Sequence, residues 1–238
     1  MSQNYGAKFP AGMGFCFDAL NPKCYSGSGT TFTDIVSGVS ATAVVTTSLA
    51  LDSTLGRPHL KFTPGATTRT ACIPFPSANL TLPKATVGTW SFWSYFQDQG
   101  NIDHPNMGWE TTGSWTGTNG WVFGTGWGTD GSRFGDNNNS FYVSGGYQNS
   151  VWQHWVITYQ TNTTNGMKAY RNGSLYHQIN TDTSMISPSN TNTFNIGATN
   201  SRGGNWGGYM DIVQIWDRVL TANEVGYLYD IQRGRFGL

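Results

Sequence analysis

Residues 152–159 read Trp152-Gln153-His154-Trp155-Val156-Ile157-Thr158-Tyr159, a run of aromatic and β-branched side chains of the kind that fits a pleated, half-buried surface. Side chains alternate between the faces of a strand, so Trp155, Ile157 and Tyr159 share one face, and Val156 and Thr158 the other. Working outward, Met167-Lys168-Ala169-Tyr170-Arg171 is a second strand-like run, and it ends in Asn172-Gly173. That pair is the strongest hairpin signal in the chain, because a tight primed turn needs positive φ at both central residues. A third run, Gly208-Tyr209-Met210-Asp211-Ile212-Val213-Gln214-Ile215-Trp216, leads into Asp217-Arg218-Val219-Leu220-Thr221. Thr221 precedes Glu224 by three residues, the spacing of a capping box. Val225, Leu228 and Tyr229 supply an apolar face, which predicts one short helix there.

Upstream, Met13–Ala19 predicts a first strand, followed by a polar loop over 21–34. Further strands are predicted at His59–Thr63, Thr70–Pro74, Gly88–Gln97, Phe141–Gly145, Leu175–Ile179 and Thr193–Gly197, with glycine-rich strand pieces through Trp109–Gly128. Short strands separated by turn signals argue for a sandwich or barrel. Composition agrees. The 238 residues include 31 glycines and 14% aromatics but only 11% charged residues, so strong helix formers are scarce. No composition shift or linker divides the chain. Residues 1–10 are polar or small and carry no period, which predicts an N-terminal arm ahead of one domain over 11–238.

Thirteen basic and thirteen acidic residues give zero net charge. No long-range field steers such a chain to nucleic acid or an anionic membrane, and no apolar run is long enough to span a bilayer. No secretory signal pattern opens the sequence, which predicts folding in a reducing cytoplasm. Cys16, Cys24 and Cys72 are odd in number and lack the arithmetic of a disulfide framework. Buried free thiols are expected, with a Cys16–Cys24 bridge as the alternative.

These motifs resemble the laminin-G-like branch of the concanavalin A-like jelly rolls. One strand of that family carries Trp-His-x-Val-x-x-Thr-Tyr, matched by Trp152, His154, Val156, Thr158 and Tyr159 with Gln153 inserted. The next places a Tyr before an Asn-Gly turn, matched by Tyr170-Arg171-Asn172-Gly173. The last ends in an apolar-x-Arg-x-Leu-Ser/Thr turn, matched by Ile215 to Thr221. At the N-terminus, Asp18-Ala19-Leu20-Asn21-Pro22 and the loop to Asp34 resemble the opening of such domains in tailed-phage structural proteins, and Arg233–Leu238 is similar to their tail. The resemblance implies an all-β jelly-roll sandwich of two antiparallel sheets. It also implies a non-enzymatic virion component on the exterior of a tailed phage (capsid decoration, tail or fibre), made in the host cytoplasm. Its partners would be other virion proteins and cell-surface glycans, with Tyr5 and Phe9 of the arm as docking anchors and self-association into a homo-oligomer left open. A free carbohydrate-binding module or lectin is the alternative.

Residues suited to catalysis are few. Some jelly-roll relatives are glucanases, whose retaining chemistry needs two carboxyls about 5–5.5 Å apart and whose inverting chemistry needs roughly 6.5–9.5 Å. The chain has two glutamates: Glu224 is explained by the capping box, and Glu110 has no carboxylate at i+2 or i+4. No enzyme is expected. His154 is expected to bond a neighbouring backbone carbonyl, and His59, His104 and His177 form no metal-spacing cluster. Calcium is the one cation left open: Asp211 matches the closing-strand acid that the family uses, and Asp130 and Asp136 lie in a loop rich in oxygen ligands, which an ordinary Asx-rich turn also explains. Trp109, Trp115, Trp121 and Trp127 recur every six residues. They either fill the core or lie open, where flat rings stack on sugars.

Overall fold

A computed structural model describes residues 10–45, 49–62, 71–82, 86–97, 104–110, 120–127, 131–136, 141–144, 146–181, 193–197 and 207–238. The strands are β1 (Met13–Phe17), β2 (Thr31–Thr33), β3 (Ser40–Thr42), β4 (Val44–Val45), β5 (Leu49–Asp52), β6 (His59–Phe62), β7 (Ala71–Pro76), β8 (Val87–Phe96) and β9 (His104–Glu110). They continue as β10 (Gly120–Trp127), β11 (Gly131–Asp136), β12 (Phe141–Ser144), β13 (Trp152–Gln160), β14 (Thr163–Arg171), β15 (Ser174–Thr181), β16 (Thr193–Ile196) and β17 (Gly208–Trp216). One α-helix, α1 (Ala222–Gln232), and a 3-10 turn at Arg233–Phe236 close the chain.

Two antiparallel sheets form a sandwich. The eight-stranded sheet runs β15-β14-β13-β8-β17-β6-β5, with β1 also paired to β17. The seven-stranded sheet runs β12-β11-β10-β9-β16-β7-β4. Strand alternation explains the core between them. Trp155, Ile157 and Tyr159 of β13 meet Phe15 and Phe17 of β1, Trp90 and Phe92 of β8, and Phe75, Phe123 and Phe194 of the other sheet, all essentially inaccessible to solvent. The two faces of β13 divide as the sequence predicts. Here the second face is also covered: Val156 lies with Trp216, Leu220, Val225 and Leu228 under α1.

Asn172 and Gly173 adopt φ of 51° and 79°, the positive values the primed turn requires. A Cβ on Gly173 would stand 3.1 Å from the Tyr229 Cβ, so the turn glycine also lets α1 lie close over the hairpin. Helix α1 begins with both bonds of the capping box between Thr221 and Glu224. The three cysteines are buried free thiols, which removes the Cys16–Cys24 bridge. The short strands β2 to β5 have no counterpart in the sequence reading, because segments of two to four residues carry too little period to register.

β17 is the hinge of the topology. Its first half pairs with β6 (Tyr209 with Lys61) and its second half with β1 (Val213 with Phe17, Ile215 with Phe15). Against β8 the register shifts between Asp211 and Gln214, where three steps on β17 oppose two on β8. At this bulge Ile212 has φ of 43°, a costly conformation for a β-branched residue. The bulge sends two successive side chains the same way. Met210 and Val213 point into the inter-sheet core, while Ile212 joins an outer aromatic cluster with Trp93, Trp152, Tyr209 and Phe236. Asp211 reaches that same outer layer.

Candidate functional site

Beneath the C-terminal turn, the outer face of the eight-stranded sheet holds a buried chain of four polar residues. His59 Nδ1 lies 2.6 Å from Asp211 Oδ2. Arg235 Nη2 lies 3.3 Å from Asp211 Oδ1, and Arg235 Nη1 donates to Asp18 Oδ1 at 2.8 Å. Asp18 and Asp211 are fully buried, and the Arg235 side chain is 7% exposed. Charges this deep persist only when each is matched by its opposite and by hydrogen bonds. Alternation from Tyr209 puts Asp211 in this layer, and the bulge that follows adds Ile212 beside it.

Stacked rings surround the chain of charges. Phe236 lies on Trp93 with centroids 4.0 Å apart and planes at 13°, and Trp93 lies on His154 at 4.9 Å and 21°. Gln232 ties the layer to the sheet, accepting from Trp93 Nε1 at 2.6 Å and donating to Gln214 at 3.0 Å. His154 Nε2 is 2.8 Å from Ser91 Oγ. Burial holds its pKa down at about 3, so the ring is neutral. The partner is a hydroxyl, where the sequence reading expects a backbone carbonyl.

Where this layer meets solvent, a cleft of about 300 Å³ opens between the turn after β5 and the C-terminal tail. Arg57, His59, Trp152, Arg235 and Phe236 line it, with Leu55 at its edge. Trp152 and Phe236 stand 4.6 Å apart, and His59 lies 4.6 Å from Trp152. Arg57 Nη1 reaches Gly234 O at 3.5 Å, bringing the turn up to the tail. A second cavity, of about 190 Å³, lies between the β13–β14 hairpin and the start of α1, lined by Thr158, Lys168, Tyr170 and Thr221 among others.

A family description of laminin-G type matches residues 67–226. The chain belongs to the concanavalin A-like lectin/glucanases superfamily. No curated protein matches it by sequence. Among solved structures it is similar to domain 4 of an extracellular arabinanase from Geobacillus stearothermophilus, solved with arabinotriose (TM-score 0.63, 14% identity, 91% of this chain and 98% of that one). It is also similar to the binding domain of a Paraclostridial mosquitocidal protein (TM-score 0.62, 13% identity, 92% of this chain and 52% of that one). A third likeness is to a Trypanosoma rangeli sialidase (TM-score 0.62, 13% identity, 96% of this chain and 34% of that one). The chain thus spans about half of the toxin binding domain and about a third of the sialidase. At these identities the likeness is one of fold.

Asp211, left open above as a calcium ligand, is buried and answered by His59 and Arg235, and a cation beside the Arg235 guanidinium would be repelled. Among the described residues no three His, Cys, Asp or Glu gather into a metal site. Asp130 lies outside the described residues, and the Asp136 backbone pairs with Trp121 in the β10–β11 ladder. Trp109 and Trp121 are register partners across β9 and β10, two residues along from the partners Met107 and Phe123, which are buried. Trp127 ends β10 opposite Gly131. Trp115, Tyr5 and Phe9 lie outside the described residues.

The cleft was not legible as a site. His59 stands alone in the sequence, 152 residues from Asp211. The one usable signal was the tail Arg233–Leu238, where an Arg-Phe pair follows a helix that has already ended.

Proposed function

We propose that this chain is a non-enzymatic glycan-binding β-sandwich carried on the exterior of a tailed-phage particle. The observation that carries the non-enzymatic part is the engagement of its carboxylates. Asp18 and Asp211 are bound to Arg235, Asp34 accepts from the Cys16 backbone at 2.7 Å, Asp52 holds Lys61 at 3.0 Å, and Glu224 holds Arg218 at 2.6 Å. A glycosidase needs one carboxyl held protonated and a second free to attack or to activate water. Among the described residues these acids serve structure instead. Hydrogen bonds from Thr54 and then Lys61 hold Asp52, and one from Arg218 holds Glu224, well below the ordinary carboxylate range, the opposite of a general acid.

Glycan binding is supported by the superfamily and by the arabinanase domain solved with arabinotriose, of which this chain covers 98%. That likeness also favours the second reading, a free carbohydrate-binding module. What supports the particle is the resemblance of the two end motifs to tailed-phage structural proteins, with the arm residues Tyr5 and Phe9 as anchors on a neighbouring virion protein. Two measurements test the proposal. A glycan array should show binding, while β-glucan, agar, carrageenan and chitin fragments should stay intact on long incubation; turnover would sink the non-enzymatic reading. Mass spectrometry of purified particles should find the chain, and its absence there leaves the free module.

A further inference from the structure

Arg57, His59 and Arg235 all line the cleft beside the C-terminus, and among the described residues no carboxylate lines it, in a chain with only 13 lysines and arginines among 238 residues. The acids that answer Arg235 stand behind it, Asp18 at 2.8 Å and Asp211 at 3.3 Å. The two carboxylates outweigh the single Arg235 charge and hold its fork in place. His59 is fixed from the same side: Nδ1 faces Asp211, so the ring donates its Nδ1 proton inward and Nε2 is its remaining polar atom. Arg57 is different. It is exposed at the mouth, and its one long bond to Gly234 O at 3.5 Å uses a single donor of the five that a guanidinium carries. It therefore supplies the solvent-facing positive charge of the cleft, with four of its donors left for a ligand. Trp152 and Phe236 supply the apolar wall.

We infer that this cleft takes the acidic unit of a glycan, a sugar ring bearing a carboxylate or a sulfate, with Arg57 meeting the anion. The inference rests on the glycan-binding reading above. A guanidinium fork pairs bidentately with planar or tetrahedral oxyanions and binds them more strongly than neutral acceptors. An aromatic wall beside a few fixed donors is the composition of a small-ligand site, and about 300 Å³ is the small end of such sites, suited to one ring rather than a long chain. A bare inorganic ion would leave the Trp152 and Phe236 wall unused.

The test uses the full chain on an array of neutral, uronate-bearing and sulfated glycans, followed by calorimetric titration with trigalacturonate, its fully methyl-esterified form and a sulfated carrageenan fragment. The expected result is binding of an acidic ligand and about tenfold weaker binding of the uncharged ester. The carboxylate and sulfate arms show which anion fits. Arg57→Gln should reduce acidic-ligand affinity by about tenfold without moving the thermal midpoint, since Arg57 is exposed, and the acidic ligand should shift the Trp152 indole N–H resonance. Equal affinity for acid and ester, or an Arg57→Gln variant that binds as the parent does, overturns the cleft assignment. Neutral glycans binding while every acidic one fails overturns it alone and leaves the glycan-binding reading standing. Failure of the entire array overturns both.

Discussion

Arg235, in the last turn of the chain, donates to Asp18 at the end of the first strand, across 217 residues of sequence and 2.8 Å of space. The same guanidinium lies 3.3 Å from Asp211 on the strand that pairs with both β1 and β8. One side chain thus closes the sandwich over its outer face. Removing it would leave two buried carboxylates with one positive partner gone.

Arg235→Met should therefore destabilise the fold by about 3–5 kcal/mol, the usual consequence of orphaning a buried charge. Chemical denaturation of the two proteins side by side measures it. Asp18→Asn combined with Arg235→Met should cost less than the sum of the single changes, because the partners belong to one network. Additive losses would mean that the two residues act separately.

Gly208 opens β17 with φ of 128°, and a Cβ there would stand 2.0 Å from the Tyr95 carbonyl oxygen on β8. Neither the conformation nor the approach admits a side chain without moving the ladder. Gly208→Ala should lower stability by more than about 1 kcal/mol, whereas Gly234→Ala, with nothing within 4 Å, should lie within about 0.5 kcal/mol of the parent. Similar denaturation midpoints for the two variants would refute the close approach.

The sandwich was legible because its strands obey local rules. The alternation of Trp155, Ile157 and Tyr159, the Asn172-Gly173 turn and the Thr221–Glu224 box each carry their own explanation within a few residues. Pairing of β17 with β1 around Phe15 and Phe17 joins the two ends of the chain, and no local rule specifies it. The outer layer was not legible. It depends on a bulge at Ile212 that reverses side-chain parity, and alternation alone puts Asp211 and Ile212 on opposite faces. It depends equally on the tail folding back, so that His59, Asp211, Arg235 and Asp18 meet from four separate segments. No window of sequence contains two of them within hydrogen-bond reach.

Glu224 accepts from Thr221 and from Arg218, at 2.6 Å for the shorter guanidinium contact, and these bonds hold its carboxyl at about 2 against an ordinary 4.5. A depressed acid stabilises the folded state above its ordinary pKa and loses that contribution as pH falls through the folded value. The Arg218 and Glu224 side chains are 36% and 38% exposed, so screening leaves about 1 kcal/mol or less for the pair, while a glutamine can still make the capping-box bond. Glu224→Gln should lower stability at pH 7 by roughly that amount or less, and the gap to the parent should close between about pH 4.5 and 2. A gap that stays constant to pH 2 would assign the effect to packing.

His154 gives the acid response a different window. Burial between Trp93 and the Ser91 hydroxyl holds the ring neutral, with a pKa of about 3 in place of 6.5. Between those values the unfolded chain binds a proton that the folded chain refuses, so protonation favours unfolding. The stability lost is nil above pH 6.5 and grows as pH falls toward 3, with a limiting slope of about 1.4 kcal/mol per pH unit for one proton. Above pH 4.5 Glu224 contributes little to this fall, because it is ionised in both states. His154→Gln starts less stable, having lost a stacked and well-packed ring, but it has no proton to take up. Urea unfolding at pH 7, 6 and 5 should show the parent falling more steeply than the variant. Parallel lines would mean that His154 binds its proton equally well folded and unfolded, which the buried site between Trp93 and Ser91 does not allow.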